Sequence, residues 1–108
     1  MARPELLGLQ QLELAAPLIR IAAHPIRLRI IDLLSHGEAC VGDIAVAAEV
    51  PQAIASQHLA TLRQAGILSS TRDGQRVYYR LVRVELVKLL DCIRDHCQLI
   101  GSSIATPS

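Results

Sequence analysis

Residues 51–66 read Pro51-Gln52-Ala53-Ile54-Ala55-Ser56-Gln57-His58-Leu59-Ala60-Thr61-Leu62-Arg63-Gln64-Ala65-Gly66. Their spacing predicts one helix with an apolar arc at Ile54, Ala55, Leu59, Leu62 and Ala65, close to the i, i+4, i+7 recurrence of a helix face. Gly66 is placed to end it in the left-handed conformation that other residues resist. The opposite arc carries Gln52, Ala53, Ser56, Gln57, Ala60, Arg63 and Gln64: short or amide-bearing side chains, one cation and no carboxylate. A helix that needed only solubility would mix acids with bases. This face is suited to an anionic, polar partner.

The chain just upstream supplies a companion. Val41–Ala48 reads as a short helix with Ile44, Ala45 and Ala48 inward and Asp43 near its positive N-terminal end. Glu49-Val50-Pro51 turns tightly from it into the next helix. Two short helices joined by about three residues, the second with a polar outer face, make a helix-turn-helix. Downstream the period changes to two. Ile67–Thr71 is strand-like, Asp73-Gly74 signals a hairpin turn, and Arg76–Leu81 alternates, with Arg76, Tyr78 and Arg80 on one face. The tip of this hairpin carries Arg72, Gln75 and Arg76, which makes it a basic wing.

The outer parts of the chain frame this unit. Residues from about 5 to 22 have helical spacing interrupted by Pro17, which either starts a new helix or kinks this one. His24-Pro25 is a junction, and Pro25 suits the first turn of a helix over Ile26–Ser35 with Ile26, Ile30, Leu33 and Leu34 inward. Glu38-Ala39-Cys40 is an extended lead into the third helix. A last helix, Val84–Ile100, spaces Leu86, Leu90, Ile93, Cys97 and Ile100 by alternating fours and threes, the seam of a helix that packs across a two-fold axis. The expected organisation is one domain, residues 1–100, followed by a disordered tail, residues 101–108.

Composition agrees with a single globular domain: 108 residues, 51% hydrophobic and 19% charged. The core must be aliphatic, because Tyr78 and Tyr79 are the only aromatic residues among Phe, Trp and Tyr. The net charge of +1 conceals a cluster, since Arg63, Arg72, Arg76, Arg80 and Arg83 stand against Asp73 alone between residues 63 and 83. Such clustering is the electrostatic footprint of a nucleic-acid surface. Apolar runs are too short for a membrane span, and the N-terminus lacks the pattern of a signal peptide, so a cytoplasmic location is expected. Three cysteines there argue for reduced thiols rather than a disulfide framework. No phosphate-binding glycine loop, nucleophile elbow or carboxylate pair accompanies His24, His36, His58 and His96, which argues against an enzyme.

Four segments in order resemble the ArsR/SmtB family of small dimeric winged-helix repressors, many of which sense metals. They are His24-Pro25-Ile26-Arg27-Leu28-Arg29-Ile30, Cys40-Val41-Gly42-Asp43-Ile44-Ala45, Ser56-Gln57-His58-Leu59 with Leu62–Gly66, and Gly74–Leu81. The resemblance covers about residues 13–97. It implies a mainly α winged helix-turn-helix with a small β-hairpin wing, a homodimer through the first and last helices, and two reading helices in successive major grooves of operator DNA. An inducer releases such proteins from DNA. Gln52, Ala53, Ser56 and Gln57 fall on the family's reading face, where amides suit adenine edges. Arg63, Arg72, Gln75 and Arg76 are then expected on phosphate or in the minor groove. His58, at the edge of the apolar arc, reads better as a packed, hydrogen-bonded histidine than as a DNA contact. Pro51 departs from the serine cap of many relatives, but proline also starts a helix well.

The sensing residues match the family less well. Its thiol site on the third helix has a Cys-Val-Cys core, whereas this chain has Cys40-Val41-Gly42, and one thiolate cannot make a trigonal soft-metal site. The last-helix zinc site finds only Arg83, Glu85, His96 and Leu99 in the corresponding region. Candidates left are Cys40, Cys92, His96 and Cys97. Cys92 and His96 lie one turn apart on one face, while Cys92 and Cys97 point roughly 140° apart. Cys40 precedes a helix N-terminus, which favours thiolate. Two sensing chemistries stay open: a thiophilic metal or metalloid ion as inducer, or a redox or sulfur-species switch through Cys40 with Cys97. Simple packing of the thiols is a third reading, and a winged helix that binds a protein rather than DNA is the alternative for the whole chain.

Overall fold

The first helix, α1 (Leu9–Ala22), begins after Gly8, whose N–H donates to Gln11 Oε1 at 3.0 Å. These features belong to a computed structural model that describes residues 5–96. Pro17 lies inside α1, so the helix continues through it at the cost of one backbone hydrogen bond. His24 is the extended N-cap of α2 (Pro25–Leu34), its Nδ1 accepting from the Ile26 N–H at 3.1 Å. Pro25 takes the first helical position, where its missing N–H costs nothing. A two-residue strand, β1 (Ala39–Cys40), leads directly into α3 (Val41–Ala48).

Helix α3 ends in a Schellman motif: Val50 N–H donates to the Ala45 carbonyl at 3.1 Å and Glu49 N–H to that of Val46 at 3.2 Å. The motif needs a left-handed residue, and Glu49 supplies it at φ 59°. Helix α4 (Gln52–Gln64) ends in the same way, with Ile67 N–H to Leu62 and Gly66 N–H to Arg63, both at 3.0 Å. There the left-handed position belongs to Gly66, at φ 77°. Strands β2 (Leu68–Asp73) and β3 (Arg76–Leu81) form the wing, paired in register from Leu68 with Leu81 to Asp73 with Arg76. Strand β1 joins the other edge of β3, Ala39 opposite Tyr79, so the sheet order is β1-β3-β2. Helix α5 (Leu86–Asp95) follows.

The core is aliphatic throughout, with Ile30, Ile31, Ile44, Leu59, Leu62, Ile67 and Leu68 fully buried. Among the described residues no polar or charged side chain is buried. Between α1 and α5 runs an open groove of about 810 Å³, lined by Leu14, Pro17, Leu18 and Ile21 from one side and Leu86 and Leu89 from the other. No described helix is long and apolar enough to cross a membrane.

Several expectations are adjusted. Ile54 is not inward but 38% exposed, because it lies about 100° around the helix from Ala55, at the edge of the buried arc. Ile31, unassigned by periodicity, is fully buried. Glu38–Cys40 is not only an extended lead, since two of its residues pair in the sheet. The hairpin turns over Gly74-Gln75 rather than Asp73-Gly74, with Gly74 at φ 65° as the first residue of a two-residue loop. Helix α5 starts at Leu86, two residues later than expected. Cys97, Ile100 and the tail 101–108 lie outside the described residues.

Candidate nucleic-acid interface

The apolar arc of α4 sets where its polar arc points. Ala55, Leu59 and Leu62 are fully buried, which rotates Gln52, Ala53, Ser56, Gln57 and Arg63 into solvent. Arg72, Gln75 and Arg76 of the wing are exposed as well. A cleft of about 440 Å³ joins three of these residues, with Gln52 on one wall, Gln75 and Arg76 on another, and Cys40 to Asp43 at the start of α3 behind. The N-terminal end of α4 and the tip of the wing therefore open onto one cleft. Arg63 lies eleven residues beyond Gln52, roughly 16 Å along the helix, and faces solvent.

The arginine cluster divides in two. Arg80 Nε donates to Ser69 Oγ across the wing at 2.6 Å, and Arg83 pairs with Glu85 at 3.5 Å. Arg63, Arg72 and Arg76 form no ion pair among the described residues. The cations without internal partners are thus the same three that the sequence assigns to phosphate.

His58 is packed, as its place beside the apolar arc suggests. It is half-buried, its Nδ1 accepts from Arg27 Nε at 3.2 Å, and its ring centroid lies 4.6 Å from that of His24. Partial burial first, then the neighbouring His24 and Arg27, lower its pKa below the ordinary histidine value. Sequence reasoning missed Arg27 as its partner. The two residues are separated by 31 positions, and nothing local signals the contact.

The candidate sensor residues fall into two places. Cys40 lines the cleft between α3, α4 and the wing, with Sγ 3.4 Å from Asp43 Oδ2. Cys92 is on the exposed face of α5, and its Sγ is 4.0 Å from His96 Nδ1. That nitrogen is also 2.9 Å from the Cys92 carbonyl oxygen. It donates there, which leaves Nε2 as the ring's available ligand atom. Arg94 beside them bridges Asp32 and Asp91, both at 3.3 Å. Among the described residues no three His, Cys, Asp or Glu side chains gather into a metal-sized cluster. Cys92 and His96 therefore offer at most two donors, one fewer than a trigonal site requires.

Comparison with known proteins places this geometry. The model of the family described as bacterial regulatory protein, arsR family, matches residues 24–70. The transcriptional activator HlyU of Vibrio cholerae is 33% identical over 85 residues, 78% of this chain and 79% of its own length. The chain belongs to the ArsR/SmtB family. The repressor SmtB of Mycobacterium tuberculosis is 37% identical over 79 residues, 73% of this chain. The matched part of the chain spans 58% of that repressor's length. In structure, the homodimeric winged helix-turn-helix DNA-binding domain of Mb0332 from Mycobacterium bovis, a possible ArsR-family regulator, superposes with a TM-score of 0.71. It is 31% identical, over 91% of this chain and 94% of that one. The ArsR-family match runs from His24 to the middle of β2, so the helix-turn-helix carries it. It is a family of bacterial regulatory proteins, not of enzymes.

Proposed function

We propose that this chain acts as a homodimeric repressor that reads operator DNA with α4 and clamps its backbone with the wing. The observation that carries this reading is that Gln52 and the wing residues Gln75 and Arg76 line one cleft, with Ala53, Ser56, Gln57, Arg63 and Arg72 exposed as well. Gln52, Ser56 and Gln57 offer hydrogen bonds to base edges. Arg63, Arg72 and Arg76 position the protein on phosphate. The second copy packs on α1 and α5, whose apolar side chains line the open groove. Relatives include both a repressor and an activator by name; repression is the reading favoured here because SmtB of Mycobacterium tuberculosis and the biofilm growth-associated repressor of Agrobacterium fabrum are both repressors. Duplex affinity measured across salt tests the proposal. Counterion release predicts a logarithmic slope of about −0.9 per phosphate contact, and a flat response would point to a protein partner instead.

For release, we propose an inducer that engages thiols. Exposure of Cys92 one turn from His96, and of the Cys40 cleft to the DNA-facing side, supports this step. A metal at Cys92 and His96 takes its remaining donors from the second copy, because Cys97 points roughly 140° away from Cys92 on a helix; a redox or sulfur-species inducer acts at Cys40 with Cys97. Preformed complex challenged with arsenite, cadmium, copper(I), zinc, peroxide and polysulfide separates the two. Release by an ion that Cys92→Ser abolishes supports the metal site, release by peroxide or polysulfide that Cys40→Ser abolishes supports the switch, and no release by any of them removes thiol sensing.

A further inference from the structure

Arg27 on α2 reaches two other elements at once. Its Nε–H donates to His58 Nδ1 on α4 at 3.2 Å, and its Nη1 donates to the Ile21 carbonyl in the last turn of α1 at 3.0 Å. His24, at the junction of α1 and α2, lies against the His58 ring with the two planes tilted by 49°. Its own Nδ1 accepts the Ile26 N–H that opens α2. Both Nδ1 atoms are acceptors, and a His58 ring that accepts from Arg27 is neutral and carries its proton on Nε2. A doubly protonated His58 would turn a donor towards the Arg27 N–H and set two cations side by side.

We infer that Arg27 is a positioning residue that fixes α4 relative to α1 through neutral His58, and that protonation of His58 undoes this hold and weakens duplex binding. The inference rests on the DNA-binding reading above. In a two-fold dimer built on α1, the angle between α1 and α4 sets the separation of the two reading helices, which must match one turn of the duplex, about 34 Å. A joint between these helices therefore acts on affinity without touching DNA. The charged and titratable groups acting on the His58 ring are His24, from the α1–α2 junction, and Arg27, from α2; among the described residues α1, α3 and β2 contribute none. Burial and both of these neighbours favour the neutral ring. The joint is therefore closed at neutral pH and opens as pH falls below the ordinary histidine range, about 6.5.

The sign of the effect separates this device from a surface histidine near DNA. Added positive charge strengthens binding to a polyanion, so simple titration makes the complex tighter in acid. A proton-opened joint makes it looser. Duplex affinity of the full chain is to be measured from pH 7.5 to 5.5 for the wild type, His58→Asn and Arg27→Met. Asparagine keeps an acceptor near the Nδ1 position and cannot titrate, whereas methionine keeps the stem of Arg27 and removes its donors. Relative to His58→Asn, the wild type should lose about tenfold in affinity per unit of pKa difference between free and bound protein. His58→Asn should match the wild type at pH 7.5, and Arg27→Met should be weak at both ends of the range. Equal pH slopes for wild type and His58→Asn, or tighter wild-type binding in acid, would overturn the inference.

A second measurement needs no DNA. In ¹⁵N-resolved spectra of the free protein, His58 should titrate from the Nε2–H tautomer, with amide signals in the last turn of α1 shifting alongside those of α4. Arg27→Met should uncouple the two sets of signals. If His58 titrates while α1 stays unmoved in the wild type, the joint does not exist. If the signals move together but no duplex binds at any salt, the joint stands and the DNA-binding reading is what fails.

Discussion

Helices α1 and α4 are both amphipathic, yet they meet opposite surroundings. Helix α4 buries Ala55, Leu59 and Leu62 completely and shows solvent mostly amides and short side chains. Helix α1 buries only Ala22, while Leu9 and Leu14 are each 76% exposed and Ile19 51%. Helix α5 sits between these cases, burying Leu86 and Leu90 but leaving Leu89 and Ile93 over a third exposed. A row of exposed leucines this long is unusual on a soluble chain and marks a surface that another apolar surface covers. The difference divides the molecule by task. The half made of α2, α3, α4 and the sheet is complete within one chain and turns a polar, cation-bearing face outward. The half made of α1 and α5 stays open within one chain, and it is where the proposed second copy packs.

That division makes opposite demands on two leucines. Leu59→Ala removes a side chain from the closed core and should lower unfolding free energy by about 2–5 kcal/mol, read as a shift in urea midpoint at constant slope. Leu14→Glu alters a side chain that faces solvent in one chain, so intrinsic chain stability should change by no more than about 0.5 kcal/mol. Its effect belongs to association. Covering a leucine-sized side chain contributes about 1.5–3 kcal/mol, so losing one per copy should raise the dimer dissociation constant at least about a hundredfold. Sedimentation would show the shift to monomer, and the melting temperature would fall with dilution. An unchanged dimer after Leu14→Glu would break the comparison, because α1 would then be exposed for some other reason.

Legibility in the sequence followed how local each determinant is. Helix α3 was readable to its end residues, Val41 and Ala48, because Cys40, Pro51 and a compact apolar pattern frame it. Strand β3 was readable from strict alternation closed by a glycine turn. The exposed face of α4 followed from the apolar arc alone, since burying one side of a helix determines the other. What escaped depends on distance or on an uninformative residue type. The Arg27 to His58 hydrogen bond joins positions 31 apart, and no periodicity predicts it. Strand β1 is two residues long, shorter than any alternation can signal. Ile31 is buried because α2 is covered on more than one side, by α3, α4 and α5, which a single amphipathic stripe does not anticipate.

The smallest expected effect concerns the turn of the helix-turn-helix, inside the closed half. Helices α3 and α4 end in the same hydrogen-bonded motif, yet one has Glu49 and the other Gly66 at the left-handed position. A side chain there costs about 1–2 kcal/mol. Glu49→Gly removes that strain but gives the unfolded chain more freedom to lose, about 0.5–1 kcal/mol. It also deletes an ion pair with Arg29 whose atoms are 3.9 Å apart and well exposed, a contact that contributes little. Arg29 keeps its hydrogen bond to the Ala47 carbonyl at 2.6 Å. The sum favours the variant by a few tenths to about 1 kcal/mol, measurable as a higher urea midpoint with an unchanged slope. Because the strain lies in the half that closes on itself, the dimer dissociation constant should stay the same. A gain in stability that came with altered dimerisation would mean that the two halves are coupled through this turn.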